Sequence, residues 1–161
     1  MNAKRAGAVR SSPLCYTKAY PIRNAYVATR YKDWLRQAEH DLEQAEDSRK
    51  AGRHEWACFA SHQAAEMAIK ALHDFWGQQS WGHTLMRLLT DLPQDLGVSG
   101  DLVDKVRVLD TFYIPTRYTD AHPEGAPFER YGALQSKEAV QYAREVIAFV
   151  RDALAKQKDR P

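Results

Sequence analysis

The chain has 161 residues, of which 44% are apolar, and its formal net charge is +2. This is the length of one ordinary domain, and the apolar fraction is enough for a single core. Seven of the 23 Lys and Arg residues lie in residues 1–32, which contain no Asp or Glu, so the rest of the chain carries 16 basic against 21 acidic residues. Proteins that hold duplex nucleic acid by charge usually show a basic face or stripe, and this mildly acidic body argues against that class.

Cysteine content and hydropathy indicate the compartment. Cys15 and Cys58 form neither a CxxC pair nor a regularly spaced framework. No run of 18 apolar residues exists, and the N-terminus lacks the apolar region of a secretory signal. We therefore expect a cytoplasmic protein with no membrane association, in which residues 1–30 are a flexible basic extension.

Two long amphipathic helices are predicted after this extension. The stretch "YKDWLRQAEHDLEQAEDSRKAG" places apolar residues three or four apart and stops near Gly52, and "HEWACFASHQAAEMAIKALHDFWG" repeats the pattern and ends at Gly77. The many alanines of the second helix indicate close packing against a neighbouring helix. The two segments are typical of an antiparallel pair joined by a tight turn.

Three further helices complete the predicted fold. "HTLMRLLTDLP" is a short helix closed by proline, "SGDLVDKVRVLDTFY" has Ser99 as its N-cap and Tyr113 on its apolar stripe, and a long helix runs from about residue 135 to 156. No stretch alternates with a period of two over strand length. We predict an all-α, up-and-down bundle of four to five helices over residues 31–157, with residues 158–161 as a C-terminal tail.

The second helix carries a polar stripe, because Cys58, His62, Glu66 and Lys70 recur every four residues and so share a face. The first three side chains are of metal-ligand types. However, no second ligand cluster accompanies them, and Glu66 and Lys70 have the spacing of an ordinary ion pair. We therefore expect no metal site here, and we interpret His62, Glu66 and Lys70 as the wall of a cleft or the seam of a dimer, supporting nucleotide or RNA binding.

The loop "YIPTRYTDAHPEG" contains the combination of residues that most clearly indicates a catalytic function. Arg117 can bind a phosphate bidentately, and His122 can take the proton of a ribose 2′-hydroxyl, so the pair suits phosphodiester chemistry that needs no metal or cofactor. Asp120 is placed to orient His122 or to pair with Arg117, and Tyr118 to stack on a base. The two prolines of the loop disfavour helix and restrict its backbone.

A plainer interpretation of this loop stays open on the residues alone. The pattern Arg-x4-His also occurs at Arg49 and His54, and a pattern this short matches by chance. Arg117 and Asp120 can equally form a surface ion pair, which is worth at most about 1 kcal/mol. The loop position favours function, since functional residues concentrate in loops.

Four blocks of the sequence support a named comparison. "WLRQAEHDLEQAE", "WACFASHQAAEMAIKAL", "GHTLMRLL" and "LDTFYIPTRYTDAHPEG", in this order and followed by a long helix, resemble prokaryotic HEPN domain proteins. The resemblance covers residues from about 31 to 155. It implies a bundle of four or five helices, a homodimer, and a minimal nucleotidyltransferase as the partner in a toxin–antitoxin pair.

The same resemblance implies an activity. Many HEPN proteins are metal-independent endoribonucleases with an Arg-x4-6-His motif in the dimer cleft, and this motif falls on Arg117 and His122. Cleavage by them leaves a 2′,3′-cyclic phosphate. Other members are non-catalytic and bind a nucleotide or only the nucleotidyltransferase, which is the alternative function, and a plain structural bundle is a third possibility.

Two positions of the loop depart from the family pattern. Active members often have a small polar residue directly after the motif arginine, where this chain has Tyr118. Toxins that are silenced by adenylylation carry a tyrosine two residues after the histidine, where this chain has Glu124. We therefore do not expect that mode of regulation.

Overall fold

The computed structural model describes residues 30–158, with side chains up to residue 156. Cys15, the predicted basic extension apart from its last residue, and the tail after residue 158 lie outside this part of the chain. The described residues form five α-helices and no β-strand, which confirms the predicted all-α bundle. The helices are α1 (Tyr31–Lys50), α2 (His54–Phe75), α3 (Leu85–Thr90), α4 (Gly100–Asp110) and α5 (Ala133–Lys158).

The central element is α2, which packs mainly against α1 and α5. Between α1 and α2 the chain reverses at Gly52, whose φ of 74° is a left-handed conformation that favours glycine. Small side chains on α2 let the neighbouring helices approach closely, as the alanine content predicts. The fully buried alanines of this helix are Ala57, Ala64, Ala65, Ala68 and Ala71.

The short helices follow the predicted end signals, with one difference. The Oγ of Ser99 accepts a hydrogen bond from the Leu102 amide at 3.1 Å, so Ser99 is the N-cap of α4 as predicted. The helix ends at Asp110, however, and residues 111–117 form turns. Tyr113, which was predicted on the helical stripe, therefore lies beyond the helix, and its backbone carbonyl is available to other groups.

The last helix closes the bundle and extends about two residues beyond its predicted limits at each end. Ion pairs on its outer edges join it to two other helices. Arg151 contacts Glu39 of α1 at 2.6 Å, and Glu145 contacts Lys105 of α4. None of the helices in residues 30–158 is both long and apolar enough to span a membrane.

Candidate functional site

The turn after α4 holds Arg117 in a defined position. Thr116 is buried, and its hydroxyl donates a hydrogen bond to the Phe112 carbonyl at 2.6 Å. The Phe112 side chain is buried in the core, and the Arg117 amide donates to the Ile114 carbonyl at 3.1 Å. The turn is thus anchored from the inside, which leaves the Arg117 side chain at the rim of the bundle.

The guanidinium of Arg117 is held by one backbone carbonyl and by three aromatic rings. Its Nε and Nη2 donate to the Tyr113 carbonyl at 3.0 and 2.8 Å. Its Cζ lies 4.3 Å from the Phe59 ring centroid, 4.7 Å from that of Tyr113 and 5.0 Å from that of Tyr118, which are cation–π distances. Within residues 30–158 its remaining N–H groups have no partner. The arginine is therefore a pre-positioned cation with donors left for a ligand.

His122 is held in the same turn but by a different contact. Its Nε2 donates a hydrogen bond to the Pro115 carbonyl at 2.7 Å, and its ring meets that of Tyr131 edge-on, with centroids 6.3 Å apart. With the proton on Nε2, the neutral ring carries its lone pair on Nδ1. In the described part of the chain, Asp120 is exposed and makes no hydrogen bond to His122 or Arg117, so the Pro115 carbonyl is what orients the histidine.

The ring of Tyr113 is the centre of a larger group. Its centroid lies 4.8 Å from the His83 ring, stacked at 18°, and 4.9 Å from the His62 ring at 32°. Phe59 and Arg117 pack against it as well. We call these five residues the Tyr113 cluster; it brings together α2, the connection from α2 to α3, and the turn after α4.

Glu66 lies beneath this cluster as a buried carboxylate with three side-chain donors. It is 1% exposed, and Lys70 Nζ donates to its Oε1 at 2.7 Å, which confirms the predicted ion pair. His83 Nδ1 lies 3.1 and 3.2 Å from its two oxygens, and Gln63 Nε2 lies 3.5 Å from Oε2. A buried charge is stable only when it is paired and hydrogen-bonded, and Glu66 meets that condition.

His62 is a fully buried and fully bonded histidine. Its Nε2 donates to the His83 carbonyl at 3.1 Å, and its Nδ1 accepts from the Gln63 amide at 3.3 Å. The Asp110 carboxylate lies 3.7 Å from the same Nε2, and the Glu66 carboxylate lies 3.9 Å from Nδ1. Both ring nitrogens are thus occupied by the protein, so His62 supports the site by holding His83 in place.

Asp110 fixes the start of α3, directly after His83. Its carboxylate accepts hydrogen bonds from the Leu85 and Met86 amides at 2.6 and 2.9 Å. Burial acts to raise the pKa of Asp110, but the hydrogen bonds from His62, Met86 and Leu85 outweigh it and hold this pKa below its usual value. The charged carboxylate is therefore part of the frame that positions His83.

A groove of about 730 Å³ runs between α1 and α2 and adjoins the Tyr113 cluster. Its wall includes Phe59, a member of the cluster, and Gln63, whose side chain contacts His62. Burial raises the pKa of Asp41 at this groove, opposed by its hydrogen bond from Gln37. The lining combines amide, aromatic and apolar side chains with one acidic, one basic and one hydroxyl side chain: Gln37, Asp41, Gln44, Ser48, Arg53, Trp56, Phe59, Ala60, Gln63 and Met67.

Two other candidates from the sequence, His54 and Cys58, have contacts that explain them by a role in the fold. His54, of the second Arg-x4-His pattern, bonds through Nδ1 to the Ser136 hydroxyl at 2.8 Å and so joins α2 to α5. Burial, with the nearby charge of Glu55, raises the pKa of the Cys58 thiol to about 12, which makes it unreactive at neutral pH. Among residues 30–158, no three His, Cys, Asp or Glu side chains are grouped so as to hold a metal ion.

The structure also brings in residues that the sequence did not single out. Among the predicted residues, Arg117, His62, Glu66 and Lys70 belong to one connected set, while His122 lies on the neighbouring part of the turn. Three members of the Tyr113 cluster were missed as site residues: Phe59, His83 and Tyr113. The signals for them were a phenylalanine one helical turn before His62, a histidine two residues before the third helix, and a tyrosine one helical turn before Arg117.

The fold and the Tyr113 cluster together define a small all-helical domain whose polar site lies where α2 meets the turn after α4. The HEPN domain family model matches residues 22–153, so the chain belongs to the HEPN domain family. No curated protein matches the chain.

Three solved structures are similar to it over nearly their whole length. The protein TT1696 from Thermus thermophilus is 48% identical with a TM-score of 0.77, over 78% of this chain and 99% of its own. An archaeal HEPN homologue is 38% identical with a TM-score of 0.66, over 78% and 98% of the two chains. A HEPN domain protein from Thermotoga maritima is 34% identical with a TM-score of 0.62, over 76% and 98%.

Proposed function

We propose that this protein is a HEPN-type toxin component that acts on RNA in the cytoplasm as a metal-independent endoribonuclease. The observation that carries the proposal is the way in which the Arg117 guanidinium is held. The guanidinium is held by the Tyr113 carbonyl and by three aromatic rings, yet it keeps unpaired donors at the rim of the bundle. Such a group binds a phosphodiester without first having to be ordered, which is how a pre-positioned charge favours a transition state.

The proposed reaction uses the turn as follows. Arg117 binds the scissile phosphate and stabilises the charge that develops on its oxygens. His122, with its Nε2 proton held by the Pro115 carbonyl, takes the proton of the ribose 2′-hydroxyl on Nδ1. The 2′-oxygen then attacks phosphorus and displaces the 5′-oxygen, which gives a 2′,3′-cyclic phosphate. Tyr118, 49% exposed beside Arg117, stacks on a neighbouring base.

The test of this proposal is cleavage of a defined RNA in the presence of EDTA. Wild-type protein is expected to cut it and to leave 2′,3′-cyclic phosphate ends, because the residues involved need no metal. His122→Ala is expected to be slower by about a hundredfold or more, since a general base contributes a factor of this order. End-group analysis by mass spectrometry and initial rates on gels measure both outcomes.

The matched control is His54→Ala, because His54 belongs to the other Arg-x4-His pattern and bonds to Ser136 of α5. It is expected to cut RNA at the wild-type rate. Equal rates for wild type, His122→Ala and His54→Ala would point to a contaminating nuclease and would end the assignment. Complete loss of activity in EDTA would contradict a metal-independent reaction.

We propose that the active form is a homodimer in which two such turns face each other. Apolar side chains are exposed on α4 and in the turn beside Arg117, with Val108 38% and Ile114 47% accessible. A second copy that covers them would bring a second Arg117 and His122 near the first pair. Light scattering at micromolar concentration is expected to give twice the 18.4 kDa chain mass, and a persistent monomer would exclude this arrangement.

The alternative function, a non-catalytic module, is favoured by the groove between α1 and α2. Amides and the aromatic rings of Trp56 and Phe59 line it, and such side chains bind the edge and face of a nucleobase. For a nucleotide-binding module, RNA stays intact in the assay above while millimolar ATP raises the melting temperature. In either case the proposed protein partner is a minimal nucleotidyltransferase acting as antitoxin, which an adjacent reading frame of that type would support.

A further inference from the structure

His83 is a histidine that the protein orients but does not enclose. Its side chain is 53% exposed, although its Nδ1 faces both oxygens of the buried Glu66 at 3.1 and 3.2 Å. Because a carboxylate only accepts, Nδ1 carries a hydrogen, and Nε2 is the nitrogen that gains or loses a proton. Within residues 30–158 Nε2 has no partner. A carboxylate behind an imidazole with one open nitrogen is the usual arrangement of a proton-transfer histidine.

His83 and the proposed phosphate-binding residue Arg117 pack against the same ring. The His83 ring lies 4.8 Å from the Tyr113 ring centroid, and the Arg117 Cζ lies 4.7 Å from the same centroid. Both the imidazole and the guanidinium therefore lie within 5 Å of the centre of one aromatic ring. The two side chains are held by separate contacts. His83 is fixed by Glu66 and by the start of α3, and Arg117 is fixed by the Tyr113 carbonyl.

The reaction proposed above still lacks a proton donor for the leaving 5′-oxygen. His122 presents a lone pair, because its Nε2 proton is bonded to the Pro115 carbonyl, so it serves as the base. The leaving 5′-oxygen still needs a proton. Lys70 is bound to Glu66 and its side chain is only 11% exposed. Tyr118 packs against Arg117 and is proposed to stack on a base. An imidazole ordinarily titrates close to neutral pH and is the better donor.

We propose that His83 is the general acid of RNA cleavage, a role that rests on the proposed ribonuclease function. The 2′-hydroxyl proton passes to Nδ1 of His122 while a bond forms between the 2′-oxygen and phosphorus. The bond between phosphorus and the 5′-oxygen breaks, and this oxygen takes the proton from Nε2 of His83. Both histidines then return to their starting states by exchanging protons with water. Glu66 acts through His83 and is a positioning residue.

The decisive experiment compares two dinucleotide substrates that differ in one leaving atom. One has the natural 5′-oxygen, and in the other this bridging oxygen is replaced by sulfur, which leaves as a thiolate without being protonated. With the oxygen substrate His83→Ala is expected to be slower than wild type by about a hundredfold or more, and with the sulfur substrate to be within about threefold of it. His122→Ala is expected to be slow with both, because the base is needed in either case.

A second variant and the pattern of rates exclude a merely structural role. His40→Ala removes a histidine that is 77% exposed on α1, and it is expected to match wild type with both substrates. Should His83→Ala cleave the oxygen substrate at the wild-type rate, or be equally slow with both substrates, the acid role is overturned while the ribonuclease stands. Should wild type cleave neither substrate, the proposed function itself fails and this role with it.

Discussion

Arg117→Ala is expected to lower the rate of RNA cleavage by about 10³-fold or more, the largest loss of any single substitution in this chain. The guanidinium is the group proposed to bind the phosphate and to stabilise the charge on its oxygens. An arginine that stabilises the charge of a phosphoryl transition state contributes about 10³ to 10⁵ in rate. Initial rates on the same RNA measure the effect, with enzyme in excess so that slow turnover is still detected.

The lysine variant separates charge from geometry. Arg117→Lys keeps the positive charge but loses the planar fork, which here bonds to the Tyr113 carbonyl and lies against three rings. It is therefore expected to stay within about tenfold of the alanine variant rather than of wild type. A lysine variant with near wild-type activity would mean that charge alone is needed, and that the three aromatic rings around the guanidinium have no role in the reaction.

The control for both variants is Arg107→Ala. Arg107 lies on α4, near the same end of the domain, and its only described contact is the exposed pair with Asp104 at 2.8 Å. Exposed pairs of this kind contribute about 0 to 1 kcal/mol, so neither folding nor cleavage is expected to change. If Arg107→Ala loses as much activity as Arg117→Ala, the loss reflects general charge attraction for RNA and not a site.

The helices were predictable because their signals are local. Ser99 caps α4 through a side chain three residues from the amide it accepts, and Gly52 ends the first helix through its own backbone preference. The ends that shifted have weaker signals. The last helix begins at Ala133, directly after a glycine and shortly after a 3-10 turn. Neither feature determines at which of several neighbouring residues the helix starts.

The site was predictable only where its contacts follow the helix repeat. Glu66 and Lys70 are four residues apart on α2, and this spacing alone indicates their ion pair. The third partner, His83, is 17 residues from Glu66 and meets it because the connection from α2 to α3 returns along α2. Likewise, four groups converge on Tyr113 because α4 ends at Asp110, and the helical pattern had continued through that position.

The polar stripe on α2 consequently has two different parts. Cys58 faces the core, while Glu66 and Lys70 form the ion pair that His83 joins. His62 lies between the two parts and uses both ring nitrogens within the protein. The interpretation as a cleft wall stays a prediction, and it concerns the part of the stripe that contacts His83, where Glu66 joins the buried ion pair to the exposed histidine.

Glu66→Ala is expected to lower the free energy of unfolding by about 3 to 5 kcal/mol, the cost of breaking a buried ion pair by removing one partner. The substitution leaves the Lys70 ammonium without its carboxylate and the His83 Nδ1 hydrogen without an acceptor, and it opens a space beside His62. Glu66→Gln, which keeps the shape and one acceptor oxygen, is expected to lose less. Urea unfolding followed by circular dichroism measures the loss as a lower midpoint at unchanged slope.

The comparison with a surface carboxylate decides whether the buried network is responsible. Glu43 on α1 is 78% exposed, and its described contact is His40 at 3.6 Å, so Glu43→Ala is expected to change stability by no more than about 0.5 kcal/mol. If the two alanine variants unfold at the same urea concentration, Glu66 does not hold the network together. If instead Glu66→Ala is destabilised and Lys70→Ala made in that background adds little, the two side chains act as one unit, as their 2.7 Å contact requires.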